Sequence, residues 1–345
     1  MQAASDDVAI RAESQVGLIT LNRPKALNSL NYAMITAMSA ALTAWAGDDS
    51  IGAVILDGAG ERGLCAGGDV VAAYHLAKTN DPAGRKFFFD EYRLNAMIGS
   101  YPKPYVALMS GLVMGGGVGV AGHGSVRVVT ETSKIAMPEV GIGFVPDVGG
   151  SYLLSRAPGG LGLHAALTGA PFDAGDAIAM GFADHYLPQA ALADFRAAIL
   201  TEGVTAAVAR FAEEPPASPL SQQRDWIDTC YAAETVSEIL AALHGHDETA
   251  AHDAANLIGT RSPIAAAVTL TAVRRAAELA SLQDVLVQEY RVTCAALRSH
   301  DFIEGIRAQL VDKDRKPQWL PASLAAVNSA DIEAYFVPAE PDLTF

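Results

Sequence analysis

Positive charge is in short supply in this chain. Against 39 aspartates and glutamates stand 24 lysines and arginines, a formal charge of −15 over 345 residues. Duplex nucleic acid and anionic membranes both demand a basic footprint, so neither is expected as a partner. A small anionic ligand is still compatible, because local donors outvote global charge. Cysteine is scarcer still. Cys65, Cys230 and Cys294 are odd in number, far apart and without metal-ligand spacing, which suits a reducing cytoplasm. The opening MQAASDDVAI has neither a basic n-region nor an apolar h-region, so no signal peptide is expected. Long uncharged runs are also rare. Tyr105 to Gly122 spans 18 residues without a charge, but six of them are glycine and the flanks lack anchoring aromatic or basic residues. A buried strand followed by a buried helix is expected there, with no transmembrane segment.

Half the residues are apolar and 18% are charged, the balance of a compact folded chain with ample core. Val8 to Leu21 reads as a hairpin turning near Ser14 and Gln15, and Tyr32 to Ala46 carries apolar residues at helical spacing. Ala53 to Asp57 (AVILD) has the continuous apolar run of a buried strand, and Gly58 to Asp69 is a glycine-dense loop. Val70 to Ser100 is helical in pattern, broken near Asn80 to Pro82, with Phe87, Phe88 and Tyr92 facing inward. Strand, turn and helix then alternate, which predicts an α/β core over residues 1–205. Residues 206–345 read as a helical C-terminal region, with Glu213 to Pro219 (EEPPASP) as a linker or exposed loop. Helix starts are signalled at Ser262-Pro263, at Ser281 with Asp284, and at Asp301 with Glu304.

The chemistry concentrates between Tyr105 and Gly150. Gly115 to Gly117 allow bare backbone to approach a ligand and present N–H groups, and the Gly58 to Asp69 loop is a second such place. Glu139 and Asp147 each follow a proline in a glycine-rich turn, where a carboxylate is rarely needed for packing. Glu139 has apolar neighbours, and a carboxylate in such surroundings exchanges protons near neutrality. Asp147 has a plain alternative as a helix cap before Val148-Gly149-Gly150. Gly117 to Gly122 matches G-x-G-x-x-G but stands too far beyond its strand for a dinucleotide fingerprint. His244, His246, Asp247, His252 and Asp253 have no apolar frame, so a solvated helix end accounts for them better than a metal. Ser110 and Ser125 near His123 lack the G-x-S-x-G context of a serine nucleophile.

Taken together, Asn22 to Asn28 (NRPKALN), Cys65 to Asp69 (CAGGD), Met114 to Gly117 (MGGG), Met137 to Glu139 (MPE) and Pro146 to Gly150 (PDVGG) resemble the crotonase (enoyl-CoA hydratase/isomerase) superfamily. The resemblance runs in one register from about Val8 to Pro188. It implies a crotonase-like spiral of ββα units with a helical C-terminal region, and acyl-CoA thioesters as substrates. It also implies an oxyanion hole from the N–H groups of Gly68 and Gly116, with CoA lying across Lys25, Ala26 and Leu27 and across Ala66 to Asp69. Two departures from the hydratases matter. Gly119 stands where hydratases carry one of two catalytic glutamates, and Asp147 stands where they commonly have glycine. That pattern, with EYR at Glu289, HDF at His300, Glu304-Gly305, Arg307, DKD at Asp312, Pro317 and Trp319, is similar to the thioester-hydrolase branch. The segment Asp90-Glu91-Tyr92 with Leu94-Asn95 resembles the part of those hydrolases that lends a substrate-contacting glutamate, here Glu91.

The expectation is therefore hydrolysis of an acyl-CoA thioester, 3-hydroxyisobutyryl-CoA of valine breakdown in the first place. Glu139 attacks the carbonyl or activates water, and Asp147 and Glu91 orient water or the substrate hydroxyl. No metal and no cofactor beyond the substrate's own CoA are implied. An enoyl-CoA hydratase or isomerase using Glu139 and Asp147 as its acid/base pair is the alternative, and a non-catalytic acyl-CoA binding protein stands behind it. Relatives of this kind are often trimers or hexamers, so a homo-oligomer is expected.

Overall fold

The computed structural model describes residues 6–345. The first five residues of the stretch read as lacking a leader lie outside the described residues. Strands β1 (Val8–Glu13) and β2 (Val16–Leu21) form the hairpin, pairing antiparallel from Val8 with Leu21 to Glu13 with Val16. Its two turn residues, Ser14 at φ 47° and Gln15 at φ 67°, are both left-handed, the geometry whose twist matches the flanking strands. Helix α1 (Tyr32–Ala46) opens on Asn31, whose side chain accepts from the Met34 N–H, and buries Met34, Ile35, Met38 and Leu42. There follow β3 (Ala53–Gly58), α2 (Val70–Lys78), α3 (Pro82–Gly99), β4 (Tyr105–Met109), β5 (Leu112–Met114) and α4 (Gly116–Ala121). Next come β6 (Val126–Val129), β7 (Lys134–Ala136), α5 (Gly150–Arg156) and β8 (His185–Tyr186), and helices dominate from there.

The described chain separates into two compact units. The first comprises the chain up to Gly68, Arg93–Ile135 and Phe172–Ser218. Its six-stranded sheet runs β1-β2-β3-β4-β6-β8, with every neighbour after the hairpin parallel. Parallel strands need both faces covered, and that is why Ala53 to Leu56 and Tyr105 to Met109 are apolar throughout. On one face Val16, Leu18, Ile55, Val106, Leu108 and Val128 pack with Phe195, Ile199 and Ala207 of the helices Leu192–Glu202 and Val204–Phe211. Each such side chain contributes about 1.5–3 kcal/mol when fully buried. On the other face Trp45 of α1 lies so close to Gly17 that an added Cβ would sit 2.5 Å from its ring. Because β2, β3 and β4 are parallel neighbours, the loops leaving them, Asn22 to Asn28, Ala59 to Gly68 and Ser110 to Gly115, all start from one edge of the sheet. Ligands of open α/β sheets bind at this carboxyl edge.

Glu213 to Pro219 is tied down rather than free. Glu213 N–H donates to the Tyr186 carbonyl at 2.9 Å, and Ser218 Oγ donates to Asp176 at 2.6 Å. A Cβ on Gly175 would crowd the carbonyls of Pro216 and Ala217, so this proline-rich stretch runs directly over the helix Ala174–Ala179.

The second unit comprises Asp69–Tyr92, Ala136–Pro171 and Pro219–Phe345. Its helices begin largely where the caps predict. Ser262 accepts from the Ala265 N–H with Pro263 at the first position, and Ser281 accepts from the Asp284 N–H. The predicted start at Asp301 is corrected: Ser299 caps the helix His300–Ile306 by accepting from the Phe302 N–H. With the helix end already satisfied two residues earlier, the Asp301 carboxylate turns inward. It is 1% exposed and accepts from Ser262 Oγ at 2.6 Å and the Leu320 N–H at 2.7 Å. Glu304, Asp312 and Asp314 are gathered by the single guanidinium of Arg307, each at 2.7–2.8 Å. Among the described residues no helix is long and apolar enough to cross a membrane.

Candidate active site

The first unit supplies a cradle of bare backbone. The loop after β3 is stitched to the loop after β2, Ala66 N–H donating to the Leu27 carbonyl at 3.0 Å and Leu30 N–H to the Gly67 carbonyl at 2.8 Å. It is stitched again to the loop after β4, where Met114 N–H donates to the Cys65 carbonyl at 2.9 Å. Asn28 ties these loops at one point. Its carbonyl oxygen accepts from the Arg23 N–H at 2.9 Å, and its amide donates to the carbonyls of Ala59 at 2.9 Å and Gly63 at 3.2 Å. Asn28 stands out in the sequence only as part of NRPKALN; its backbone is left-handed, φ 55°, a conformation that asparagine tolerates better than most residues.

The loop carrying Gly67 and Gly68 runs beside the start of α4. Gly115 takes φ 48° and opens α4, so Gly116 is its first residue and its N–H has no acceptor within the helix. An added Cβ on Gly67, next to Gly68, would lie 3.8 Å from the Gly116 nitrogen. Among the described residues neither the Gly68 nor the Gly116 N–H has a hydrogen-bond partner. The G-x-G-x-x-G match lies inside α4 rather than at a strand-to-helix turn, where a dinucleotide fingerprint belongs. Lys25 and Ala26 are exposed on the short helix Pro24–Ala26, and Leu27 and Ala66 are half-buried.

The second unit supplies the acids. Asp69 caps α2, accepting from the Ala72 N–H at 3.3 Å. Glu139 opens the short helix Glu139–Ile142, and the unit packs tightly on that turn. A Cβ on Gly143 would run into the Asp301 carbonyl, one on Gly305 into Ile142, and one on Gly141 would lie 2.9 Å from the Arg261 guanidinium. Glu139 is 7% exposed, Asp147 4% and Glu91 2%. Phe88, Tyr92, Phe144 and Phe302 form a chain of ring contacts with centroids 5.3–6.1 Å apart, the apolar wall that strips water from these carboxyls.

Burial is accordingly the leading cause of every shift here. It pushes Glu139 and Glu91 well above the ordinary carboxylate range, with the Asp147 charge adding to both. Asp147 is pushed up to about 7, opposed by the hydrogen bond it accepts from the Tyr92 hydroxyl at 2.7 Å. Glu139 Oε2 and Glu91 Oε1 are buried without a hydrogen-bond partner among the described residues. Asp147 does not cap α5, as its bland alternative held. Gly149 occupies that position, and the Asp147 side chain faces Tyr92 instead. A fourth buried acid joins the set from the C-terminal region. Glu289, pushed up by burial to about 8, was quoted in the sequence only as part of EYR.

The histidines singled out above have backbone partners: His244 Nδ1 faces the Leu240 carbonyl and His252 Nε2 the His246 carbonyl. Among the described residues no three His, Cys, Asp or Glu side chains group as a metal site would.

The family model for enoyl-CoA hydratase/isomerase matches residues 16–336. The 3-hydroxyisobutyryl-CoA hydrolase of Danio rerio is 38% identical over 345 residues, covering 96% of this chain and 90% of that protein. Its Homo sapiens counterpart is 38% identical over 344 residues, covering 96% and 89%. Two solved structures superpose closely. A carnitinyl-CoA dehydratase from Mycobacterium thermoresistibile is 65% identical with a TM-score of 0.97, over 99% of both chains. An enoyl-CoA hydratase from Rhodobacter sphaeroides is 42% identical with a TM-score of 0.93, over 98% of this chain and 100% of that one.

Proposed function

Because the chain belongs to the enoyl-CoA hydratase/isomerase (crotonase) family, we propose that it hydrolyses acyl-CoA thioesters, with 3-hydroxyisobutyryl-CoA as its substrate. The carrying observation is the buried acid set: Glu139 with an unpartnered oxygen, beside an Asp147 carboxyl whose ionisation falls near neutrality. Water addition across a double bond asks for two acids working on adjacent carbons, and α4 offers Gly119 where hydratases place one of them. Thioester hydrolysis asks only for one strong base or nucleophile and a place for the oxyanion.

The thioester oxygen accepts from the N–H groups of Gly68 and Gly116, which stabilise it as it gains charge. Glu139 takes a proton from water as that water bonds to the carbonyl carbon, or bonds to the carbon itself to give a mixed anhydride that water then opens. In either route the carbon–sulfur bond breaks and CoA leaves as a thiolate. Thiols ionise at about 8.5, so this departure needs little acid assistance. Asp147 and Glu91 orient water and the substrate's 3-hydroxyl, while Lys25, Ala26, Leu27, Ala66 and Asp69 line the path of CoA. The reaction balances with water and substrate alone, so no cofactor enters. Three free buried thiols support a reducing compartment, which we take to be the cytoplasm, although the vertebrate relatives carry mitochondrial in their names.

The 65% identity to a protein named a carnitinyl-CoA dehydratase favours a second reading, lyase chemistry on the same thioester. Thiol release from 3-hydroxyisobutyryl-CoA by this protein and by Glu139→Gln separates the two. Release that the variant loses supports the hydrolase. Turnover of crotonyl-CoA or carnitinyl-CoA without free thiol transfers the assignment to the lyases.

A further inference from the structure

Asp147 stands on a turn closed by a hydrogen bond from Gly150 N–H to the Asp147 carbonyl at 2.6 Å. Val148 has φ 54° and Gly149 φ 79°. A left-handed backbone is costly for a β-branched residue and persists only where its surroundings enforce it. The helix that follows, α5, has Gly149 at its cap and therefore no side chain to satisfy its first N–H groups. Glu289 meets them from the helix Leu282–Ala296. Gly149 N–H donates to Oε2 at 2.6 Å, and Ser151 donates to Oε1 twice, from N–H at 3.0 Å and from Oγ at 2.5 Å.

One turn further along that helix, Thr293 Oγ1 lies 2.6 Å from the Tyr92 hydroxyl. Tyr92 has a single O–H, and it is donated to Asp147 Oδ2, so Thr293 is the donor in its own bond. The direction is thus fixed from Thr293 to Tyr92 to Asp147. Tyr92 and Thr293 are both fully buried, so no water substitutes for either bond.

We propose that Glu289 and Thr293 are positioning residues of the site, and that the helix carrying them fixes Asp147 twice, through its backbone turn and through the Tyr92 hydroxyl. The proposal rests on the reading of Asp147 as a group that orients water or substrate. The charges that act on Asp147 come from three further elements: Glu91 of α3, Glu139 of the turn after β7, and Glu289. All are acids, so the hydrogen bond from Tyr92 is the leading contact that favours its carboxylate form against them, with a backbone hydrogen bond at Asp147 itself adding to it.

The test uses Thr293→Val, Tyr92→Phe, their double variant and Glu289→Gln. Two readouts are taken: the pH profile of thiol release, and carbon NMR titration of aspartate-labelled protein, with the Asp147 signal identified by its loss in Asp147→Asn. Tyr92→Phe is expected to move the Asp147 midpoint up by about one pH unit, the size of a hydrogen bond to a charged group. Thr293→Val moves it the same way by less, Thr293→Ser restores it, and the double variant matches Tyr92→Phe alone because Thr293 acts through Tyr92. Glu289→Gln lowers kcat roughly tenfold with KM little changed. A purely structural role lowers the melting temperature and leaves the midpoint in place. An unmoved midpoint in Thr293→Val, or additive effects in the double variant, overturns the proposal. If the parent protein releases no thiol, the proposed function falls while the NMR midpoint still decides this inference.

Discussion

Gly117 has no room for a side chain against Cys65. A Cβ built there lies 3.0 Å from the Cys65 Cβ and nearer still to the Cys65 carbonyl oxygen. That oxygen has no freedom to retreat, because it accepts the Met114 N–H at 2.9 Å. The start of α4 and the glycine-rich loop are therefore in backbone contact.

Gly117→Ala is expected to force the two apart. The strain of overpacking is about 1–3 kcal/mol, and the donors of Gly68 and Gly116 lose their spacing with it. Thiol release should fall by roughly a hundredfold, the scale of one lost oxyanion donor. Chemical denaturation and steady-state assays check both halves. A variant of unchanged activity would show that this contact does not set the donors.

Much of this was legible beforehand. The hairpin, α1, β3 and β4 follow from period and turn chemistry, because each is a local solution to local residues. Gly116, Glu139 and Asp147 stood out because bare backbone and isolated acids have no packing purpose in glycine-rich turns. Glu289 and Thr293 were invisible as partners of that turn, since nothing local to EYR states what lies opposite a helix face. Asp301 was misplaced for a related reason: Ser299 and Asp301 are both competent caps, and only the burial of Asp301 against Ser262 decides between them. Glu304, Asp312 and Asp314 form a charge knot around the one guanidinium of Arg307.

Stability should depend on pH through Asp147. Its carboxyl rises from an ordinary value of 3.8 to about 7 on folding, so the native state binds more protons between those values. The associated stability is fully present below the unfolded value and is lost as pH rises through about 7. Asp147→Asn removes that loss. Denaturant midpoints measured from pH 5 to pH 8 should fall more steeply for the parent than for the variant. Parallel curves would contradict the burial described for this carboxyl.

Glu91 and Glu139 should respond differently to the same substitution. Glu91 is 2% exposed, and burial first and the Asp147 charge second raise its carboxyl well above the ordinary range. Glu91→Gln keeps the shape of a side chain that orients rather than reacts and should keep thiol release within roughly tenfold of the parent. Glu139→Gln removes the base or nucleophile and should lower it by more than about a hundredfold. Comparable losses in the two variants would place Glu91 among the reacting groups.

Asp301→Ala should cost about 2–3 kcal/mol, because Ser262 Oγ and the Leu320 N–H lose a buried acceptor together. Urea titration reads the loss directly. A change within about 0.5 kcal/mol would mean that other groups replace the carboxylate.

Glu289 lies 138 positions beyond Ser151, the residue it secures. A ribosome adding about 5–20 residues per second makes the turn bearing Asp147 on the order of ten seconds before the helix that fastens it. During that interval Val148 and Gly149 lack the anchor that supports their left-handed backbone in the folded protein. The fastening of the Asp147 turn thus comes late in synthesis. A premature stop between Tyr186 and this helix leaves every strand of the sheet made and the Asp147 turn without Glu289.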